Sequence, residues 1–168
     1  METVITAIIV IGLMILSILG LSERAMSGQA ALAEANRVMQ ERMADRAHTG
    51  LTALDASTTI FGDYVQVTLK NTGNTKLADF DQWDVIVQYT DDASGEHAAW
   101  YGYPAQWSRQ IYQTASPPTP EVIDPGILNP GEELVLQVNL TPAVGAGTTN
   151  LAAVSAPNGV TASIVFTR

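Results

Sequence analysis

Five aspartates fall close together in this sequence. Asp79, Asp81 and Asp84 have D-x-D-x-x-D spacing, and Asp91 and Asp92 follow one predicted strand later. Oxygen-rich clusters of this kind can hold calcium. A helix-loop-helix calcium loop also needs a turn glycine and a closing glutamate, and neither is in place, so the spacing equally describes a solvated acidic loop. No metal site is assigned. The absence of cysteine excludes disulfides, Cys-based zinc sites and thiol nucleophiles. His48 and His97 have no evident serine partner; there is no G-x-S-x-G and no glycine-rich phosphate loop. Trp83, Trp100 and Trp107, with Tyr89, Tyr101, Tyr103 and Tyr112, could stack on a sugar, although such residues mostly fill cores. Asn139-Leu140-Thr141 is a glycosylation sequon; Asn139 alternates with core-facing residues and is predicted to point outward, although Pro142 follows. No enzyme, cofactor or resident metal is expected.

Those residues must be positioned by elements of very different character. At 168 residues the chain has room for one globular domain and an appendage. The net charge of −9 argues against nucleic acid as a partner, because phosphates need basic neutralisation. The charge is unevenly spread. Thr3–Ser22 has none, residues 23–48 balance four acids with four bases, and residues 49–168 hold twelve acids and four bases. A charge-free run of this length is about 30 Å as a helix, enough to cross a bilayer core. Met1-Glu2-Thr3 lacks the basic opening of a cleavable signal. Residues 23–47 are rich in good helix formers, with Ala25, Leu32 and Met39 seven apart and Gly50 placed as a C-terminal cap. One continuous helix of nearly 50 residues is predicted. A lone anchor has no need of an amphipathic stem, so the helix is read as destined for a bundle. Its predicted contact residues are Val4, Ile8, Ile11, Gly12, Ile15, Ile18, Gly20, Leu32 and Met39.

From about Thr58 the period becomes two. Val65, Val67 and Leu69 share a face, as do Leu134, Leu136, Val138 and Leu140, and Val160, Ala162, Ile164 and Phe166. Further strands are predicted at Trp83–Tyr89, His97–Tyr103, Arg109–Thr114 and Leu151–Ser155. Pro117–Pro120 is read as a stiff linker. The fold class expected is α+β: a long N-terminal hydrophobic α-helix over residues 1–50, then an immunoglobulin-like antiparallel β-sandwich of seven or eight strands over residues 51–168. Loops such as Trp100–Trp107, neutral and aromatic, are expected to make contacts between bodies.

The greasy helix starting at residue 1, its amphipathic extension, Leu-Lys-Asn-Thr-Gly-Asn-Thr at 69–75, the Trp83–Tyr89 strand and Leu128-Asn129-Pro130-Gly131-Glu132 together resemble the archaellins, the archaeal flagellin family. Type IV pilins share the helix design but usually carry Glu at mature position 5, where this chain has Ile5. The resemblance implies a structural subunit of an extracellular archaellum filament for swimming. It would polymerise with itself as a helical homopolymer through residues 1–50, with residues 51–168 outermost. It also implies membrane insertion before assembly, a membrane platform, and a prepilin-type peptidase that would have removed a leader before Met1. Two alternatives stand beside it: a pilin-like adhesion filament, and a membrane-tethered β-sandwich binding or adaptor protein of the archaellum machinery.

Overall fold

The computed structural model describes residues 2–168, with side-chain surroundings for all of these except 2–4, 6, 8 and 18–27. The chain forms two compact units, Met1–Met43 and Ala44–Arg168. Helix α1 runs over Glu2–His48, and its last turn belongs to the second unit. On its exposed surface Arg37 is bonded to Glu34 and Glu41, the i,i+3 and i,i+4 neighbours.

Among the described residues the second unit contains nine strands: β1 (Leu51–Thr58), β2 (Tyr64–Asn71), β3 (Asp84–Thr90), β4 (Glu96–Tyr101), β5 (Trp107–Ala115), β6 (Pro118–Pro120), β7 (Glu133–Asn139), β8 (Thr149–Ser155) and β9 (Thr161–Thr167). They form two antiparallel sheets, ordered β1-β2-β7-β5-β6 and β4-β3-β8-β9. Period-two alternation sends one face of each sheet inward. Val65, Val67 and Leu69 of β2 lie opposite Val138, Leu136 and Leu134 of β7, all fully buried. Val85 and Val87 of β3 meet them in the same core, as do Val154, Phe166, Trp83 and Trp107.

Strand β1 breaks the expectation that strands begin near Thr58. Its register shifts between Ala53 and Asp55, so Leu54 is an extra residue and the alternation reverses there. A reversed pattern over eight residues rich in Ala and Leu does not announce a strand. Pro118–Pro120, read as a linker, is the edge strand β6, where proline costs no ladder bond. Gly50, read as a helix cap, is required for a close approach instead. A Cβ there would sit 2.7 Å from the Gly73 backbone nitrogen, and one on Gly73 would sit 2.2 Å from that of Gly50.

The expected fold class is therefore corrected. The helix is not hydrophobic as a whole, because its second half is charged, and among the described residues no helix is long and apolar enough to cross a membrane. The strands make two open sheets with four distinct edge strands, β1, β6, β4 and β9, in place of a seven- or eight-stranded immunoglobulin-like sandwich.

Candidate interaction surface

The outer face of the four-stranded sheet sets exposed apolar side chains on a regular framework. Strand register fixes its rows. Trp100, Ile86, Ala153 and Ser163 lie side by side across β4, β3, β8 and β9, and Ala98, Gln88, Leu151 and Val165 form the next row. Three large apolar side chains are left to solvent: Trp100 is 56% exposed, Val165 58% and Ile86 41%. A shallow hollow of about 650 Å³ lies over the second row, lined by Gln88, Ala98, Leu151 and Val165 and bordered by Glu96. The four strands carry two acids, Asp84 and Glu96, and neither Lys nor Arg. Trp100 is held in place, its indole Nε1 donating to Asp84 Oδ1 at 2.9 Å. A fixed, exposed aromatic on a sheet with few charges is the kind of anchor that protein interfaces use.

One end of the surface is braced by the acidic turn. Asp91 Oδ1 accepts from the backbone N–H of Ala93 and of Gly95, both at 2.8 Å, and Oδ2 is 2.8 Å from His97 Nε2. These bonds, the one to His97 first, hold the Asp91 carboxyl below its usual range. Asp92 is lowered in the same direction by the Ala146 N–H and then by Arg168. Both carboxylates are thus engaged in closing loops. Asp79 adopts a left-handed backbone conformation ahead of the 3-10 turn Phe80–Gln82, and Asp84 serves Trp100. Among the described residues no three His, Asp or Glu side chains are grouped to hold a metal ion.

The aromatic residues do not form a sugar platform. Trp83, Trp107, Tyr89 and Tyr101 are buried, and Tyr103 packs on Trp107 with ring centroids 4.8 Å apart. Burial raises the Tyr101 hydroxyl well above its ordinary pKa. Of the helix residues singled out in the sequence, Ile11, Ile15, Leu32 and Met39 are exposed and Gly12 is half-buried. The side chains of Val4, Ile8 and Ile18, and the surroundings of Gly20, lie outside the described residues. Asn139 is exposed at the end of β7. Sequence reasoning did not single out Ile86 and Val165; exposed apolar residues on a strand are legible only once the sheet order is known.

The two turn motifs that carried the family resemblance interlock. Asn71 is fully buried, and its Nδ2 donates to Thr75 O at 2.8 Å and Leu128 O at 3.0 Å. Its backbone N–H donates to Glu132 O, and its carbonyl accepts from Gly131 N–H. Glu132 Oε2 in turn accepts from Asn129 N–H at 2.9 Å and Asn129 Nδ2 at 3.0 Å. Gly131 has φ +88°, which favours glycine. The residues are therefore spent on joining β2 to the β7 turn. They mark a way of building this body, whatever the body is used for.

Comparison with known proteins agrees with that reading. No protein-family model matches the sequence, and no curated protein matches it. In fold the chain is similar to the archaellum periplasmic stator protein FlaG from Sulfolobus acidocaldarius, with 19% identity and a TM-score of 0.53 over 70% of this chain and 99% of that one. It is also similar to the periplasmic stator complex of FlaF and FlaG from the same organism, with 18% identity and 0.51 over 69% and 87%. A third likeness is to the archaeal flagellum of Methanospirillum hungatei, with 16% identity and 0.54 over 96% and 90%. Likeness at these identities shows the fold alone.

Stator proteins share the fold as well as a flagellum does, and nearly their whole chains are matched. The reading as an archaellin is overturned by this, and four expectations fall with it: the self-polymerising filament subunit, the swimming filament itself, the homopolymeric partner, and the extracellular location. The physical reason is that the motifs read as family marks are spent on the turn interlock that holds this body together. The proteins whose fold it shares are named as stator and flagellum proteins, and among the described residues no cluster of His, Asp or Glu is grouped to hold a metal ion.

Proposed function

We propose that this chain is a non-polymerising adaptor of the archaellum machinery, working in the periplasmic space and joined to a different protein. The observation that carries the reading is the outer face of the four-stranded sheet, free of Lys and Arg, with Trp100, Ile86 and Val165 exposed. Fold likeness to proteins named as periplasmic stators supports it. The division into residues 1–50 and 51–168 then separates a helical attachment segment from a partner-binding body. Ile11, Gly12, Ile15, Leu32 and Met39 are proposed as helix contacts within such a mixed assembly, and Asn139 as its candidate glycan acceptor.

The test is cell fractionation of the source organism with a deletion strain beside it. The chain should be absent from sheared filaments and present in the envelope, and its deletion should stop swimming while filaments still assemble. Complementation with Trp100→Asp should fail to restore swimming although the protein accumulates normally. Recovery of the chain as a major protein of sheared filaments would overturn the proposal.

A further inference from the structure

Sheet edges expose unpaired backbone groups, and natural edges are normally guarded by proline, lysine, bulges or a covering element. Three of the four edges here are guarded. Strand β6 is Pro118-Thr119-Pro120, β1 carries the bulge at Leu54, and β9 lies alongside β1. Strand β4 has none of these devices. Its register with β3 is unbroken from Glu96 to Tyr101, it contains no proline or lysine, and Glu96 is its one formal charge.

The orientation of its bare groups follows from hydrogen bonds nearby. Asp91 N–H donates to Gly95 O, closing the β3–β4 turn, whereas Thr90 O accepts from Gly145 N–H and Thr90 N–H donates to Asn150 Oδ1 on the β8 side. Antiparallel pairs alternate between bonded and non-bonded. His97, Ala99 and Tyr101 are therefore turned toward β3, and Glu96, Ala98 and Trp100 present their N–H and C=O groups outward. The side chains on the two faces of this edge differ. Glu96, Ala98 and Trp100 stand on the outer face, near Asp84, where the four strands bring two acids and no Lys or Arg. On the inward face Ala99 is exposed although it pairs with the fully buried Val87, so the apolar face of this edge ends uncovered at Ala99.

We infer that β4 is a docking edge for an extended strand of another protein, basic on its outward face and apolar on its inward face. Backbone pairing at 96, 98 and 100 supplies the attachment, as in strand addition generally. Apolar residues on the inner side would cover Ala99. Lys or Arg on the outer side would meet Glu96 and Asp84 and lie over the Trp100 ring. A second copy fits less well, because it would bring Glu96 and a net charge of −9 against the same acidic sheet. This inference deepens the adaptor reading and rests on it for the existence of a partner, but its test needs no cells.

The probe is a capped nonapeptide of alternating Lys and Val ending in Thr, titrated into the full chain in mild detergent. Trp83 and Trp107 are each 1% exposed, so Trp100 is the reporter among the tryptophans. Saturable loss of iodide quenching is expected, with amide exchange slowed at least tenfold at Ala98 and Trp100. The peptide with Glu in place of Lys should bind at least tenfold more weakly at low salt. Ala98→Pro removes an outward N–H without touching the β3 ladder and should abolish docking at unchanged thermal midpoint. Should that variant misfold, the same peptide N-methylated on its edge-facing residues must fail to dock to the unmodified chain. The inference is overturned by any of three results: no protection at millimolar peptide, equal protection at β1 or β6, or Ala98 protection that rises with protein concentration and needs no peptide. Failure in fractionation with success here would instead sink the archaellum assignment alone.

Discussion

Replacing Asn71 with Ala tests the turn interlock directly. The side chain makes three hydrogen bonds: Nδ2 to Thr75 O and Leu128 O, and Oδ1 from Gly73 N–H at 3.1 Å. Each such bond contributes about 0.5–1.5 kcal/mol net. Two of the groups left behind keep another partner, since Leu128 O still accepts from Leu77 N–H and Gly73 N–H still donates to Gly50 O. Only Thr75 O is deprived of the one bond described for it. The loss should therefore total about 2–4 kcal/mol, a large fraction of the 5–15 kcal/mol typical of a domain. Asn71→Asp should be worse despite its shape, because a carboxylate would face two carbonyl oxygens in a buried position. The assay is urea unfolding followed by emission of the buried Trp83 and Trp107, with the slope unchanged and the midpoint lowered. An Asn71→Ala midpoint equivalent to less than about 0.5 kcal/mol, or an Asn71→Asp variant as stable as the parent, would refute the interlock as the join between β2 and the β7 turn.

Acid should loosen the Asp91–Asp92 end of the body first. Both carboxyls have depressed folded-state pKa values, so their contribution is complete above the ordinary Asp value of about 3.9 and is lost as pH falls below it. Thermal midpoints taken downward from pH 6 should drop below about pH 4, and Asp91→Asn should reduce that drop. The Arg109 guanidinium lies 4.1 Å from the Phe80 ring centroid, and its buried Nε has no hydrogen-bond partner. Arg109→Met keeps the apolar stem and removes the orphaned donor, so it should change stability by less than about 1 kcal/mol, whereas Arg109→Ala should cost about 1–2 kcal/mol in chemical denaturation. Iodide should quench a single tryptophan class, and Trp100→Phe should abolish that class without moving the unfolding midpoint by more than a few degrees.

Much of the body was legible because its strands alternate cleanly. Val65-Gln66-Val67-Thr68-Leu69 and Leu134–Val138 needed only a count of every second residue. β1 was hidden by its bulge, and β6 by its prolines. The interaction surface was harder for a different reason. In β4 both faces carry ring side chains, His97 and Tyr101 on one and Trp100 on the other, so alternation cannot tell inside from outside. Sheet order decides it, and sheet order is not local. The helix pattern led further astray. An apolar run with a striped stem implies a helix that wants neighbours, but not which neighbours, and the turn motifs that seemed to name them do fold-building work at Asn71 and Asn129 instead.

A regular edge such as β4 offers the same vacant backbone to every passing strand, including those of misfolded chains. Chains made in excess of their partner would carry that template uncovered and be the first to precipitate or be degraded. With a partner strand docked as inferred, the abundance of this protein would be tied to that of whatever covers Glu96–Tyr101. Were β4 covered as inferred, unequal synthesis of the two chains would leave this edge bare, and the sheet edge would act as the gauge of their ratio.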